Sequence, residues 1–161
     1  MTDEELMTAW QTLQRGVART HQRILEHVDL GGRSAMWFSA LHLLLNSAER
    51  RLPMTTLARE LSITTGGFTK LADRMAREGL IDRHASSDDR RVVFAALTED
   101  GLATARTCER QYQEALREHV LGVLSPAIIR ALIDAAALLN SASAASHEAS
   151  DVRLNVSARA R

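Results

Sequence analysis

Two apolar stripes of helical period stand almost end to end in the middle of this chain, and the shortness of the gap between them narrows the fold more than any other feature. Leu57, Ala58 and Leu61 form the first stripe, and Phe68, Leu71, Ala72 and Met75 form the second. Between them lies the turn Ser62-Ile63-Thr64, with Thr64 placed as an N-cap, and Gly79 follows the second helix where a left-handed residue is expected. Two short helices joined so tightly predict a helix-turn-helix. The second helix is divided in character. Its inner stripe is apolar, and its outer face carries Thr65, Thr69, Lys70, Asp73, Arg74 and Arg77.

The flanking sequence places other elements around this unit. Thr2-x-x-Glu5 has the form of a capping box, and Leu6, Trp10, Leu13, Val17, Ile24 and Val28 recur at helical spacing to about residue 28. Gly31-Gly32 breaks that helix. Ser34 is placed to cap a second one, with Trp37, Leu41, Leu44 and Leu45 inward. Leu52-Pro53-Met54 reads as a short extended piece, because a proline biases its predecessor away from helix. Residues 80–85 and 92–97 read as strands joined by the polar loop Ser86-Ser87-Asp88-Asp89-Arg90-Arg91. Thr98 and Asp100 open a helix through Cys108, Leu116 and Val120. Ser125-Pro126 opens a last one carrying Ile128, Ile129, Leu132, Ile133, Leu138 and Leu139. The predicted fold is mainly α with a small β-hairpin: a winged helix-turn-helix flanked by long helices at both ends. Residues 141–161, rich in Ala and Ser with no sustained stripe, are expected to be a poorly ordered tail.

Composition excludes several functions. No apolar run is long enough to cross a bilayer, and the acidic start Thr2-Asp3-Glu4-Glu5 is unlike a secretory leader, so a cytoplasmic protein is expected. The single Cys108 rules out an internal disulfide and a thiolate metal cage. It reads as an inert thiol, flanked by Glu109 as well as Arg106 and Arg110. Histidines 21, 27, 42, 84, 119 and 147 show no i, i+3 or i, i+4 pair, so no metal site or other cofactor is expected, short of one assembled from different helices. No nucleophile elbow, phosphate-binding glycine loop or acid pair marks an enzyme. The net charge is zero, yet residues 50–91 hold nine basic against six acidic side chains, an excess of three on the helix-turn-helix and hairpin.

With these elements in place, one pattern stands out: Leu57-Ala58…Leu61, Thr64-Thr65-Gly66-Gly67-Phe68-Thr69-Lys70-Leu71-Ala72-Asp73-Arg74-Met75, Glu78-Gly79-Leu80-Ile81-x-Arg83, Asp89-Arg90-Arg91 and Leu97-Thr98-x-x-Gly101. It resembles the MarR family (multiple antibiotic resistance regulators) over about residues 35–101. One departure is Ala95, where the family favours a β-branched residue in the wing strand. The resemblance implies a winged-helix DNA-binding regulator. The residues accord with that: a recognition helix needs an apolar face for anchoring and short polar and basic side chains for the major groove. Candidate DNA contacts are Thr64, Thr65, Gly66, Thr69, Lys70, Arg74 and Arg77 on the helix and Asp89, Arg90 and Arg91 in the wing. Arg74 and Arg77 suit phosphates or pairing with Asp73 and Glu78. By resemblance, Arg91 enters the minor groove and Asp89 holds it. Taken alone, the loop reads equally well as a solvated polar turn. Ser34, Thr55 and Thr56 are read as caps before phosphate contacts.

The resemblance also implies a homodimer on a palindromic operator in double-stranded DNA, most often as a repressor. It divides the chain into dimerisation helices (residues 1–33 and 102–140) and a DNA-binding domain (residues 34–101). Leu6, Trp10, Leu13, Ile128, Ile129, Leu132 and Ile133 are the expected interface. A small-molecule effector, aromatic or phenolic, is implied between the two regions, with Arg15, Arg19, His21, Trp37 and His42 as candidate lining. Against this stands the plainer reading that Trp37 is core and that Arg15 and Arg19 are a solvated face. The alternative function is a winged-helix module that binds protein and not DNA.

Overall fold

Thr2 caps the first helix in both directions: its hydroxyl accepts from the Glu5 amide at 3.2 Å, and the Glu5 carboxylate accepts from the Thr2 amide at 2.7 Å. From that start, α1 runs over Asp3–Glu26 and α2 over Ala35–Leu45. Next come β1 (Arg51–Pro53), α3 (Met54–Glu60), α4 (Thr65–Arg77), β2 (Ile81–Ala85), β3 (Val93–Leu97) and α5 (Glu99–Leu116). A π-helical turn, Arg117–Leu121, follows, and α6 spans Pro126–Ser141. The computed structural model describes residues 1–87, 89 and 91–141. The expectations for Arg90 and for the tail beyond Ser141 lie outside the described residues. The chain divides into two compact units, Met1–His119 and Val120–Arg161.

The first unit holds the main core. Phe68, Leu41, Leu44, Leu57, Met75 and Ile81 are its largest fully buried side chains. At about 1.5–3 kcal/mol for each large apolar side chain removed from water, these residues bind α2, α3, α4 and the sheet together. Trp37 is also buried in this core. A smaller cluster of Val28, Phe38 and Cys108 joins the end of α1 to α2 and α5.

The sheet joins the expected hairpin to the short extended piece expected before α3. Its order is β1-β3-β2, antiparallel throughout, with Leu52 opposite Ala95 and Arg83 opposite Ala95 on the other side. The extended piece before α3 is therefore a third strand, and β3 is central. Ala95 sits at its middle, fully buried. The missing β-branch thus falls where the side chain faces the core, not on an exposed wing surface.

The turns show why the motif residues are what they are. The amide of Leu80 donates to Met75 O and that of Gly79 to Ala76 O, both at 3.0 Å, a Schellman stop with Gly79 at φ +72°. Leu80 is spent in that turn, so β2 begins at Ile81 and not at residue 80. In the helix-turn-helix turn, Ile63 donates to Ala58 O at 3.0 Å with Ser62 at φ +54°, so a serine takes the place glycine holds after α4. Thr98 then ties the hairpin to α5. Its hydroxyl accepts from the Gly101 amide at 2.9 Å and donates to Gly79 O at 2.5 Å, while its own amide donates to Leu80 O at 3.2 Å. A Cβ on Gly101 would lie 1.8 Å from Leu80 O. The Leu-Thr-x-x-Gly spacing is thus a close-contact requirement: cap first, then a residue without a side chain where α5 meets the α4–β2 turn.

Candidate nucleic-acid interface

The N-terminus of α4 is built by Thr64, whose hydroxyl accepts from the Gly67 amide at 3.1 Å. A Cβ on Gly67 would lie 3.1 Å from that same oxygen, so glycine gives the cap its room. Gly66 has open space around it. The first amides of a helix have no intrahelical acceptor, and here no side chain at Gly66 screens them. Such an end attracts phosphate.

Beyond this end the helix divides as expected. Phe68, Leu71, Ala72 and Met75 are buried, while Thr65, Lys70, Asp73, Arg74 and Arg77 are exposed and Thr69 is half-buried. Thr69 donates its hydroxyl hydrogen to Thr65 O at 2.9 Å. It therefore offers a DNA partner its methyl group and an acceptor oxygen, not a donor. The Nε atoms of Arg74 and Arg77 lean on the carbonyls of Lys70 and Asp73, at 3.4 and 3.3 Å.

The acidic partners anticipated for those two arginines are engaged elsewhere. Asp73 pairs with Arg83 of β2, and Glu78 pairs with Arg33 at 2.6 Å. Both pairs join α4 to a neighbouring segment. Among the described residues neither Arg74 nor Arg77 has an ion-pair partner, so their charge is available to a polyanion. Arg83 was not singled out from the sequence as a site residue. Its signal was its place in the Glu78-Gly79-Leu80-Ile81-x-Arg83 motif, two residues into a strand that leads to the wing.

A cleft of about 190 Å³ lies between α4 and the hairpin, lined by Met54, Thr55, Thr65, Thr69, Arg83, Arg91, Val92 and Val93. It brings Thr65, Thr69 and Arg91, 26 positions apart along the chain, to one concave surface. In the wing, Asp89 Oδ1 accepts from the Arg91 amide at 2.9 Å and Asp89 O accepts from the Val92 amide at 2.9 Å. Asp89 holds Arg91 through its backbone, leaving the exposed Arg91 side chain directed by the turn. Ser34 occupies the N-cap position of α2 without a side-chain capping bond, and Pro53 occupies that of α3. The expected caps at Ser34, Thr55 and Thr56 are therefore not formed by their hydroxyls.

The candidate effector residues do not all meet. A cleft of about 380 Å³ is lined by His21, Met36, Phe38, Ser39, His42, Leu43, Glu60, Leu61 and Tyr112. Of the expected lining, His21 and His42 are there. Trp37 points into the core at 5% exposure, with the Arg33 guanidinium 5.5 Å from its ring centre. Arg15 and Arg19 lie on the exposed face of α1 and take no part. Tyr112, stacked at 4.8 Å on Phe38, and Glu60 were not foreseen, because each comes from a segment remote from the others in sequence. His42 Nδ1 lies 3.7 Å from the Glu109 carboxylate. Burial, then the charge of Asp29, push the Cys108 thiol up. Burial pushes the Tyr112 hydroxyl up as well.

Comparison with known proteins agrees with this geometry. Residues 31–92 match the model of the MarR family. The HTH-type transcriptional repressor YetL of Bacillus subtilis is 32% identical over 88 residues, covering 54% of this chain and 53% of that protein, so the match spans about half of that relative's length. AbsC, a MarR family transcriptional regulator from Streptomyces coelicolor, superposes with a TM-score of 0.75 at 27% identity, covering 84% of this chain and 90% of its own. A second regulator of the family from the same organism, crystallised in complex with DNA, superposes with a TM-score of 0.74 at 24% identity, covering 87% and 88%. Among the described residues no single helix is long and apolar enough to cross a membrane.

Proposed function

We propose that the chain is a regulator of the MarR family, whose model matches residues 31–92, and that it binds DNA sequence-specifically as a homodimeric repressor on a palindromic operator. The observation that carries this reading is the cleft between α4 and the hairpin. There Thr65 and Thr69, beside an N-terminus open to phosphate, share one surface with the wing residue Arg91, and Lys70 is exposed on the same helix. In this reading α4 enters the major groove. Lys70 reaches a base edge, the Thr69 methyl meets a thymine, and Arg74 and Arg77 hold phosphates. Arg91 enters the flanking minor groove, where a narrow A·T tract strengthens the attraction for a guanidinium.

Dimerisation is supported by apolar surface that neither unit covers by itself. On α1, Leu6, Trp10, Leu13 and Val17 repeat along one face and are 42–57% exposed. On α6, Ile128, Leu132 and Ile133 are exposed and Ile129 is half-buried. Pairing these faces with a second copy removes them from water and presents two α4 helices to successive major grooves, about 10 base pairs apart. Release comes from a small aromatic, phenolic ligand in the cleft of His21, Phe38, His42 and Tyr112. Such a ligand lowers DNA affinity only by binding the DNA-free arrangement more tightly.

Selection from a random-sequence duplex pool at physiological salt tests the reading. Enrichment of an inverted repeat with half-sites about one helical turn apart supports it. A pool that stays unenriched moves the function to a winged-helix module that binds protein. A screen of phenolic compounds that yields neither a ligand nor a change in DNA affinity removes the effector.

A further inference from the structure

We propose that His27, Glu118 and His119 form a binding site for one divalent transition-metal ion, with zinc as the best-suited species. Three ligand atoms, one from each residue, lie within 4.8 Å of one another. His27 closes the end of α1 and the other two lie on the π turn, so the site joins segments 92 positions apart in sequence. All three residues belong to the first unit.

The geometry of the two imidazoles is close to that of a ligand pair. The rings meet edge-on with centres 4.7 Å apart, and His119 Nε2 lies 3.4 Å from His27 Nδ1. Two nitrogens at zinc-bond length, about 2.0–2.1 Å from a tetrahedral ion, stand about 3.3–3.4 Å from each other. The carboxylate supplies an oxygen of the hardness zinc accepts beside histidine, and a two-histidine, one-carboxylate set leaves a position open for water or an exogenous ligand.

The helix irregularity falls on the two ligands of α5's continuation. In a regular α-helix neighbouring side chains diverge by about 100°. The π turn Arg117–Leu121 widens the spiral at Glu118 and His119, and both then reach His27. Single π turns recur at functional sites because they cost backbone regularity to re-aim side chains.

A competing role for His27 is visible. Its Nδ1 is 2.9 Å from Arg23 O, one of the last carbonyls of α1, so the ring serves as a C-terminal cap in the ion-free protein. Ion uptake at Nδ1 moves its proton to Nε2 and exchanges the cap for a metal bond, with no net change in ring charge. Metal and cap are therefore separable by experiment.

The test uses the untagged full chain, freed of metal by a chelator and titrated calorimetrically with Zn²⁺ near neutral pH. The expected result is one ion per chain with a sub-micromolar Kd. Glu118→Gln, which keeps the shape of an exposed side chain, is expected to weaken binding by about tenfold or more. His119→Ala is expected to abolish it, with unchanged helix content by circular dichroism. Co²⁺ bound in place of zinc should give the spectrum of a four- or five-coordinate nitrogen and oxygen site. A wild-type chain that takes up no ion, or that binds only at millimolar concentration, overturns the site. Equal affinity in wild type and both variants also overturns it, because the ion then sits elsewhere and the histidine pair is a cap alone.

Discussion

Gly101→Ala is the perturbation whose effect the structure defines most closely. An alanine Cβ at that position would stand 1.8 Å from Leu80 O, where real Cβ contacts do not fall below 3.0 Å, so the start of α5 must retreat by at least 1.2 Å. That retreat acts on two hydrogen bonds at the same junction, Thr98 N to Leu80 O at 3.2 Å and the Thr98 hydroxyl to Gly79 O at 2.5 Å. Losing both costs about 1 kcal/mol each, and forcing a methyl group into a packed contact adds about 1–3 kcal/mol. The expected loss is about 3–5 kcal/mol, a large part of the roughly 5–15 kcal/mol that stabilises a typical domain. Urea unfolding followed by circular dichroism measures it, with Gly16→Ala as the control. A Cβ at Gly16 meets nothing within 4 Å in the interior of α1, so alanine there should gain up to about 1 kcal/mol of helix propensity. A Gly101→Ala midpoint equal to that of wild type or of Gly16→Ala refutes the argument that close contact dictates the Leu-Thr-x-x-Gly spacing.

Gly66→Ala separates folding from function. Its Cβ has free space, so the unfolding midpoint should hold or rise slightly, while affinity for a selected operator should fall because the methyl group stands between the α4 amides and the DNA backbone. Lys70→Ala should leave stability unchanged and relax base preference at one position per half-site by about 1–3 kcal/mol, read by competition between single-base operator variants. The Cys108 thiol, held up by burial and then by Asp29, has a folded value above its ordinary value of 9.0. Its contribution to stability is therefore full below pH 9.0 and is lost as pH rises through the raised folded value. Unfolding midpoints of Cys108→Ala should fall less steeply than wild type on the alkaline side, and equal slopes would show that folding does not raise the thiol.

The sequence carried those features whose physics is local. The Thr2–Glu5 box, the Thr64 cap, the Gly79 stop and the inner and outer faces of α4 each follow from residues within a turn or two of one another. What it did not show depends on pairings between distant segments. The pairing of Leu52 with Ala95 makes a strand of three residues whose extended form alone names no partner. The engagement of Asp73 by Arg83, and of Glu78 by Arg33, redirects charges that helical spacing assigns to Arg74 and Arg77. The inward place of Trp37 on α2 was legible from helical spacing, and the structure bears it out. The aromatic that lines the cleft beside Phe38 is Tyr112 of α5, which no local pattern marks. The meeting of His27 with His119 escaped any test of sequence spacing, because 92 positions separate the two residues.

The central claim, that two copies of this chain read DNA through α4 and the wing, is tested most directly by titrating a labelled duplex carrying the selected operator over a series of salt concentrations, with wild type and with Arg91→Ala. The account predicts two chains per duplex. It also predicts that the slope of log K against log salt becomes shallower in the variant by about one for each arginine removed from the DNA, with base preference under α4 unchanged and the flanking A·T preference relaxed. Binding of one chain per duplex, or an Arg91→Ala curve that coincides with wild type at every salt concentration, would contradict it.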